Sequence, residues 1–288
     1  MNESRNTPVE KSCNIGDVEI KYLHYQSDGP DLLMLHATGF LPWVWHPVAS
    51  KLSNKFNIIA PYFCDHRDTE PEDGGISWSI LAGDLYGLCR ELGLKDPFVA
   101  GHSMGGTVIT LCAGTHTVTP SAMVLIEPIF LPQQSYNMKI TVEQHPLASK
   151  SIKRLSSWNS PAEAESYLRS RKLFAKWDSE VLDLYIRYGM KPNNEGGLCL
   201  SCSPRKEASL FMGGTAKDPW PLLPEIKCPV LVVEGGESEN RAYIDLKYAA
   251  SLFPKGSYTE VTGAGHLVPM EQPDAVYRIL SDFFERKS

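Results

Sequence analysis

An α/β fold, with a mostly parallel central sheet flanked by helices, is what the 288 residues predict, and three observations predict it. Strand-like and helix-like segments alternate from about Gly16 to Ser288. Some strand-like segments are continuous apolar runs, DLLMLHA (residues 31–37) above all, as a strand buried on both faces requires. The helix-like segments carry the complementary period. Trp78, Leu81, Leu85, Leu88 and Leu92 follow at steps of three and four, and Gly93 is placed to end that helix.

In order along the chain, MNESRNTPVEKS is polar, lacks the apolar core of a secretory signal, and reads as a short disordered lead. VEIKYLHY alternates and predicts an early antiparallel strand. DLLMLHA, FNIIAPYF, PFVAGHS and SAMVLIEP are further strands, with a helix through Val108 and Leu111 between the last two. The rhythm then fails. Residues 129–223 hold no convincing buried strand, but helical pieces such as AEAESYLRSRKLFAKW and SEVLDLYIRYGM. It resumes with CPVLVVEGG (strand), AYIDLKYAASLF (helix), SYTEVTGAG (strand) and PDAVYRILSDFFE (helix). The expected organisation is a core of residues 1–128 and 224–288 interrupted by a helical insertion, 129–223.

Composition narrows the function classes. Charged residues make up 22% and the formal net charge is −6, with no basic cluster on which a nucleic-acid backbone could lie. The basic pieces KSIKR and RSRK read as a solvated face. No run of 18 apolar residues is present, so no membrane-spanning helix is expected. The seven cysteines are scattered and odd in number, which points to reduced thiols and a cytoplasmic protein. Cys199 and Cys202 form a CxxC, but no second CxxC or histidine pair accompanies it, so no metal is implied.

The chemistry centres on GHSMGG, residues 101–106, between a strand and a helix. A serine at so sharp a strand-to-helix turn points its hydroxyl off the sheet, and side chains two residues to either side would collide there. Late in the chain, GAGHLVPMEQPDAV sets His266 ahead of the last helix. HATGF, residues 36–40, follows the DLLMLHA strand, with Trp45 shortly after.

In the order and spacing of these segments the chain resembles the α/β-hydrolase family over nearly its whole length. The resemblance implies Ser103 as nucleophile, His266 as its base, and the backbone N–H groups of Thr38 and Met104 as oxyanion donors. It makes the insertion a helical cap, whose aromatics form its own core and in part line an apolar pocket, with Trp158, Phe174 and Trp177 as candidates. His36 and His102 hold scaffold positions of their motifs. Two departures stand out. CDHRDTE, residues 64–70, lacks the glycines many members carry there. In GGESEN, Ser238 falls where the usual acid is expected, with Glu237 and Glu239 out of register. Some members place the acid after the preceding strand of the sheet, where this chain has Glu127. Glu127 is the favoured candidate and Glu239 the alternative. The implied reaction is cleavage of an apolar carboxylic ester, or of a related lactone, thioester or carbon–carbon bond, on a small molecule and without a cofactor. A ligand receptor that keeps these residues is the rival from another class.

Overall fold

The structure, a computed structural model, describes residues 7–286 except 65 and 137. The first six residues of the expected lead thus lie outside the described residues. The rest of that segment is not a loose lead: Val9–Asn14 forms strand β1, antiparallel to β2 (Glu19–Tyr25). Its burial is slight, so no apolar pattern advertises it; it is held by backbone hydrogen bonding to β2.

The chain continues through β3 (Asp31–Leu35), α1 (His46–Leu52), β4 (Asn57–Pro61), α2 (Trp78–Glu91), β5 (Phe98–His102), α3 (Met104–Thr115) and β6 (Ala122–Ile126). Next comes a segment with no strand in the main sheet. It holds α4 (Ala148–Ile152), β7 (Ser157–Trp158), α5 (Pro161–Arg169), α6 (Ser179–Tyr188), β8 (Met190–Pro192), β9 (Leu198–Leu200) and α7 (Pro204–Met212). The chain closes with β10 (Val230–Gly235), α8 (Leu246–Leu252), β11 (Gly256–Val261), α9 (Val268–Glu271) and α10 (Pro273–Glu285).

Eight strands form one sheet in the order β1-β2-β4-β3-β5-β6-β10-β11. Pairing is antiparallel at β1/β2 and β2/β4 and parallel elsewhere. The sheet is covered on both faces, and β3 shows why its sequence is continuously apolar. Leu32 and Met34 enter one core, with α1 and α10 residues, while Leu33 and Leu35 enter the other, with α2 and α3 residues. This is the expected α/β-hydrolase architecture.

The inserted segment differs in detail from expectation. Its helices are accompanied by a small antiparallel sheet, β7-β9-β8, built of strands of two or three residues, too short to show a period. The helical piece at 162–177 is broken: α5 ends at Arg169 and a single 3₁₀ turn, Lys172–Phe174, follows. The KSIKR piece is solvated at Lys150 and Lys153, but Arg154 turns towards the buried Glu207, with Nη1 3.2 Å from its Oε1. No described helix is long and apolar enough to cross a membrane. Cys199 and Cys202 are free thiols.

Candidate active site

Parallel strands all release their chains at one edge of the sheet, and crevices at that edge collect ligand groups. Here β5 ends at His102 and delivers Ser103, β6 ends at Ile126 and delivers Glu127, and the turn beyond β11 delivers His266.

Ser103 has φ 55° and ψ −118°, a backbone strain that Ser103 N–H, donated to Ile126 O at 2.9 Å, helps to hold. The flanking glycines are a steric necessity. A Cβ on Gly101 would sit 2.6 Å from the Gly105 carbonyl carbon, and one on Gly105 would sit 2.6 Å from Leu35 O and 2.7 Å from His36 O. The same contact presses the elbow against the loop that begins at His36.

The three side chains meet in line. Ser103 Oγ lies 3.0 Å from His266 Nε2, and His266 Nδ1 lies 2.9 Å from Glu127 Oε2. Glu127 is fully buried, and its own φ is 49°. Its carboxylate is met from three sides: Gly235 N–H donates to Oε1 at 2.7 Å, Ser238 O–H to Oε2 at 2.8 Å, and the imidazole completes the set. A carboxylate so placed can orient the imidazole through Nδ1–H and stabilise an imidazolium. The serine at the expected acid position therefore touches the carboxylate that reaches His266 from the neighbouring strand. Glu237 is exposed and paired with Lys176, and Glu239 is exposed; neither is hydrogen-bonded to His266.

Asn240 was not anticipated. Its side-chain amide lies 2.9 Å from His266 Nδ1, and Tyr243 O–H is its other partner. If Nδ1–H is donated to Glu127, the amide must present its oxygen to that nitrogen and its NH₂ to the tyrosine. No motif marks Asn240; it lies two residues past Ser238, whose hydroxyl caps its N–H at 3.3 Å.

His36 and His102 brace the loops around these groups. Phe63 N–H donates to His36 Nε2 at 2.9 Å, which leaves Nδ1–H for Ala37 O at 2.8 Å. His102 Nε2–H donates to His266 O at 2.9 Å, and burial drives the His102 pKa well below the ordinary histidine value. Thr38 is buried, and neither its N–H nor that of Met104 has an acceptor among the described residues. Two donors without acceptors, one next to Ser103 in the chain and one on the loop that begins at His36, could receive a developing oxyanion.

Over the loop from Thr38 to Phe40 lies part of the inserted segment. Trp177 and Tyr185 pack on Phe40, with ring centroids 5.5 and 5.7 Å away. Phe174 lies behind them, whereas Trp158 packs on Tyr167 beside the small sheet. The 64–70 loop, without its glycines, is tied down by charge: Arg67 bridges Asp84 and Asp17, and Arg205 and Lys206 of α7 pair with Glu70 and Asp68. Among the described residues no cluster of His, Cys, Asp and Glu has the makings of a metal site.

Comparison with known proteins agrees with the architecture. The family described as "Alpha/beta hydrolase family" matches residues 32–279. A 2-(acetamidomethylene)succinate hydrolase of Mesorhizobium japonicum is 22% identical over 277 residues, covering 96% of this chain and 95% of its own. The crystal structure of E-2-(acetamidomethylene)succinate hydrolase superposes with a TM-score of 0.81 at 20% identity, over 96% of this chain and 99% of that one. An enol-lactonase from Burkholderia xenovorans LB400 superposes with a TM-score of 0.71 at 20% identity, over 96% and 100%.

Proposed function

The chain belongs to the alpha/beta hydrolase family, and from that premise we propose that it is a serine hydrolase of small-molecule carboxylic esters or related acyl bonds. The observation that carries the reading is the unbroken run of hydrogen bonds from Ser103 through His266 to the buried Glu127.

In the proposed mechanism Ser103 Oγ attacks the substrate carbonyl while His266 Nε2 takes its proton. Glu127 fixes the imidazole with Nδ1–H towards itself and stabilises the imidazolium. The Thr38 and Met104 N–H groups hold the oxyanion, the Met104 donor strengthened by its place at the first turn of α3. His266 returns the proton to the leaving group, then activates water to release the acyl-enzyme. Residues 129–223 act as a cap that closes over the acyl group.

The bond cut is the finer part of the proposal. Similar proteins carry the names of a lactonase and an acetamidomethylene-succinate hydrolase, so lactones, thioesters and carbon–carbon bonds beside a ketone belong in the same panel. The test is fluorophosphonate labelling together with steady-state hydrolysis of 4-nitrophenyl butyrate. The wild type should label and turn over repeatedly. Ser103→Ala should lose the label and at least about 10⁴-fold of the rate. Undiminished turnover by a folded Ser103→Ala protein would end this reading, and a single burst without turnover would favour a receptor.

A further inference from the structure

The cap contains a charged group whose hydrogen bonds are incomplete. Arg154 follows α4, and its Nη1 lies 3.2 Å from Glu207 Oε1. Its Nε and Nη2 are shielded from solvent and have no acceptor among the described residues. Those two nitrogens form one edge of the guanidinium, the edge that takes both oxygens of a carboxylate side by side. A buried cationic edge without an acceptor is costly and calls for a partner.

Its position is set by two contacts. Glu207 lies against the oxyanion loop so closely that a Cβ on Gly39 would come 2.1 Å from Glu207 Oε1. Tyr185, the ring on Phe40, is the other neighbour of Arg154, with its hydroxyl as a polar partner of the guanidinium. The guanidinium is therefore one side chain removed from Gly39, through Glu207, and one removed from Phe40, through Tyr185. The Trp177 indole, also on Phe40, has a buried Nε1–H that likewise has no acceptor among the described residues. Glu207 occupies Nη1 alone, and Ser151 donates to its second oxygen.

We propose that Arg154 is a substrate-binding residue whose Nε and Nη2 receive a carboxylate carried by the acyl part of the substrate, so that this site prefers half-esters of dicarboxylic acids to neutral esters. The assignment rests on the hydrolase reading for its location relative to the scissile carbonyl, but binding can be tested without turnover.

The experiment compares kcat/KM for 4-nitrophenyl hemisuccinate with that for its neutral match, 4-nitrophenyl levulinate, and includes the hemiglutarate for reach. Wild type should favour one of the anionic esters by about tenfold or more. That ratio should fall by about 100-fold in R154Q and by about tenfold in R154K, which keeps a charge for Glu207 but lacks the two-nitrogen edge. Should R154Q not fold, R154K decides. In parallel, calorimetry on Ser103→Ala should show succinate binding, absent for its neutral dimethyl ester and lost when R154K is added. A ratio near one in wild type, a ratio unchanged in the variants, or succinate binding indifferent to R154K would each overturn the assignment. If no ester is cleaved and Ser103 takes no label, the hydrolase reading fails, and calorimetry alone decides for or against the carboxylate site.

Discussion

Three donors converge on the Glu127 carboxylate, from Gly235, Ser238 and His266, while a fourth polar group, the Asn240 amide, competes for the same imidazole nitrogen. A carboxylate in contact with Nδ1 can both select the Nδ1–H tautomer and stabilise the imidazolium; an amide can at most do the first. Glu127→Gln should therefore lower kcat by orders of magnitude, and Glu239→Gln should change it little. Adding Asn240→Asp to Glu127→Gln sets a new carboxylate where the amide now lies 2.9 Å from Nδ1. The double variant should regain about tenfold or more, since hydrogen bonds to charged groups are worth about 1.5–3 kcal/mol. A severe loss in Glu239→Gln, or no recovery in the double variant, would place the acid elsewhere. Ser103 and His266 can be picked out in the sequence because steric demand writes glycines around one and the other sits in a recognisable segment. Glu127 was readable only as a carboxylate at a strand end. Asn240 was not readable at all, since its place depends on the path of a turn stapled by Ser238.

At the scale of elements, long periodic segments such as α2 and doubly buried strands such as β3 were legible because burial writes itself into residue type. Elements whose burial leaves no period were not: β1 is almost wholly exposed, and β7, β8 and β9 are too short for alternation to mean anything. A related distinction separates the aromatics of the inserted segment. By residue type Trp158 and Trp177 are equivalent, and both are buried. Only Trp177 packs on Phe40, in the loop that carries Thr38, whereas Trp158 packs on Tyr167. Trp177→Leu should shift acyl chain-length preference by about tenfold, since a methylene in an apolar pocket is worth about 1–3 kcal/mol. Trp158→Leu should lower stability while leaving that preference alone. Specificity constants across acetate, butyrate and hexanoate esters, with urea unfolding of each variant, check the pair. Equal shifts, or none, would mean that the acyl pocket lies away from the aromatic cluster on Phe40.

For the whole molecule, the sheet imposes a pH dependence that no motif expresses. His102 ends β5 in the middle of the sheet, and its burial beside His266 and His36 keeps it neutral to well below the ordinary histidine range. The unfolded chain protonates the same residue at about pH 6.5. Below that pH the unfolded state binds the extra proton, so stability falls as pH drops and is fully present only above it. His24, His46 and His145 are shifted in the same direction by burial and add to the trend. Asp84 acts lower down. Burial works to raise its pKa, but hydrogen bonds from Arg67 and His66 prevail and lower it, so its contribution holds above about pH 4 and is lost beneath. The interval from pH 6.5 to 5 lies above Asp84, and the raised carboxyls of Glu207 and Glu234 act there equally in wild type and variant, so the difference between the two isolates His102. His102→Gln can keep an N–H for His266 O, where His102 Nε2 now donates at 2.9 Å, and it removes the titrating group. Wild-type unfolding free energy should fall more steeply than the variant's across that interval, by up to about 1.4 kcal/mol per pH unit, one proton's worth. Urea unfolding at pH 7.5, 6.5 and 5.5 measures both slopes. Parallel curves would mean that His102 gains its proton without unfolding, and that the middle of the sheet admits charge more readily than its burial implies.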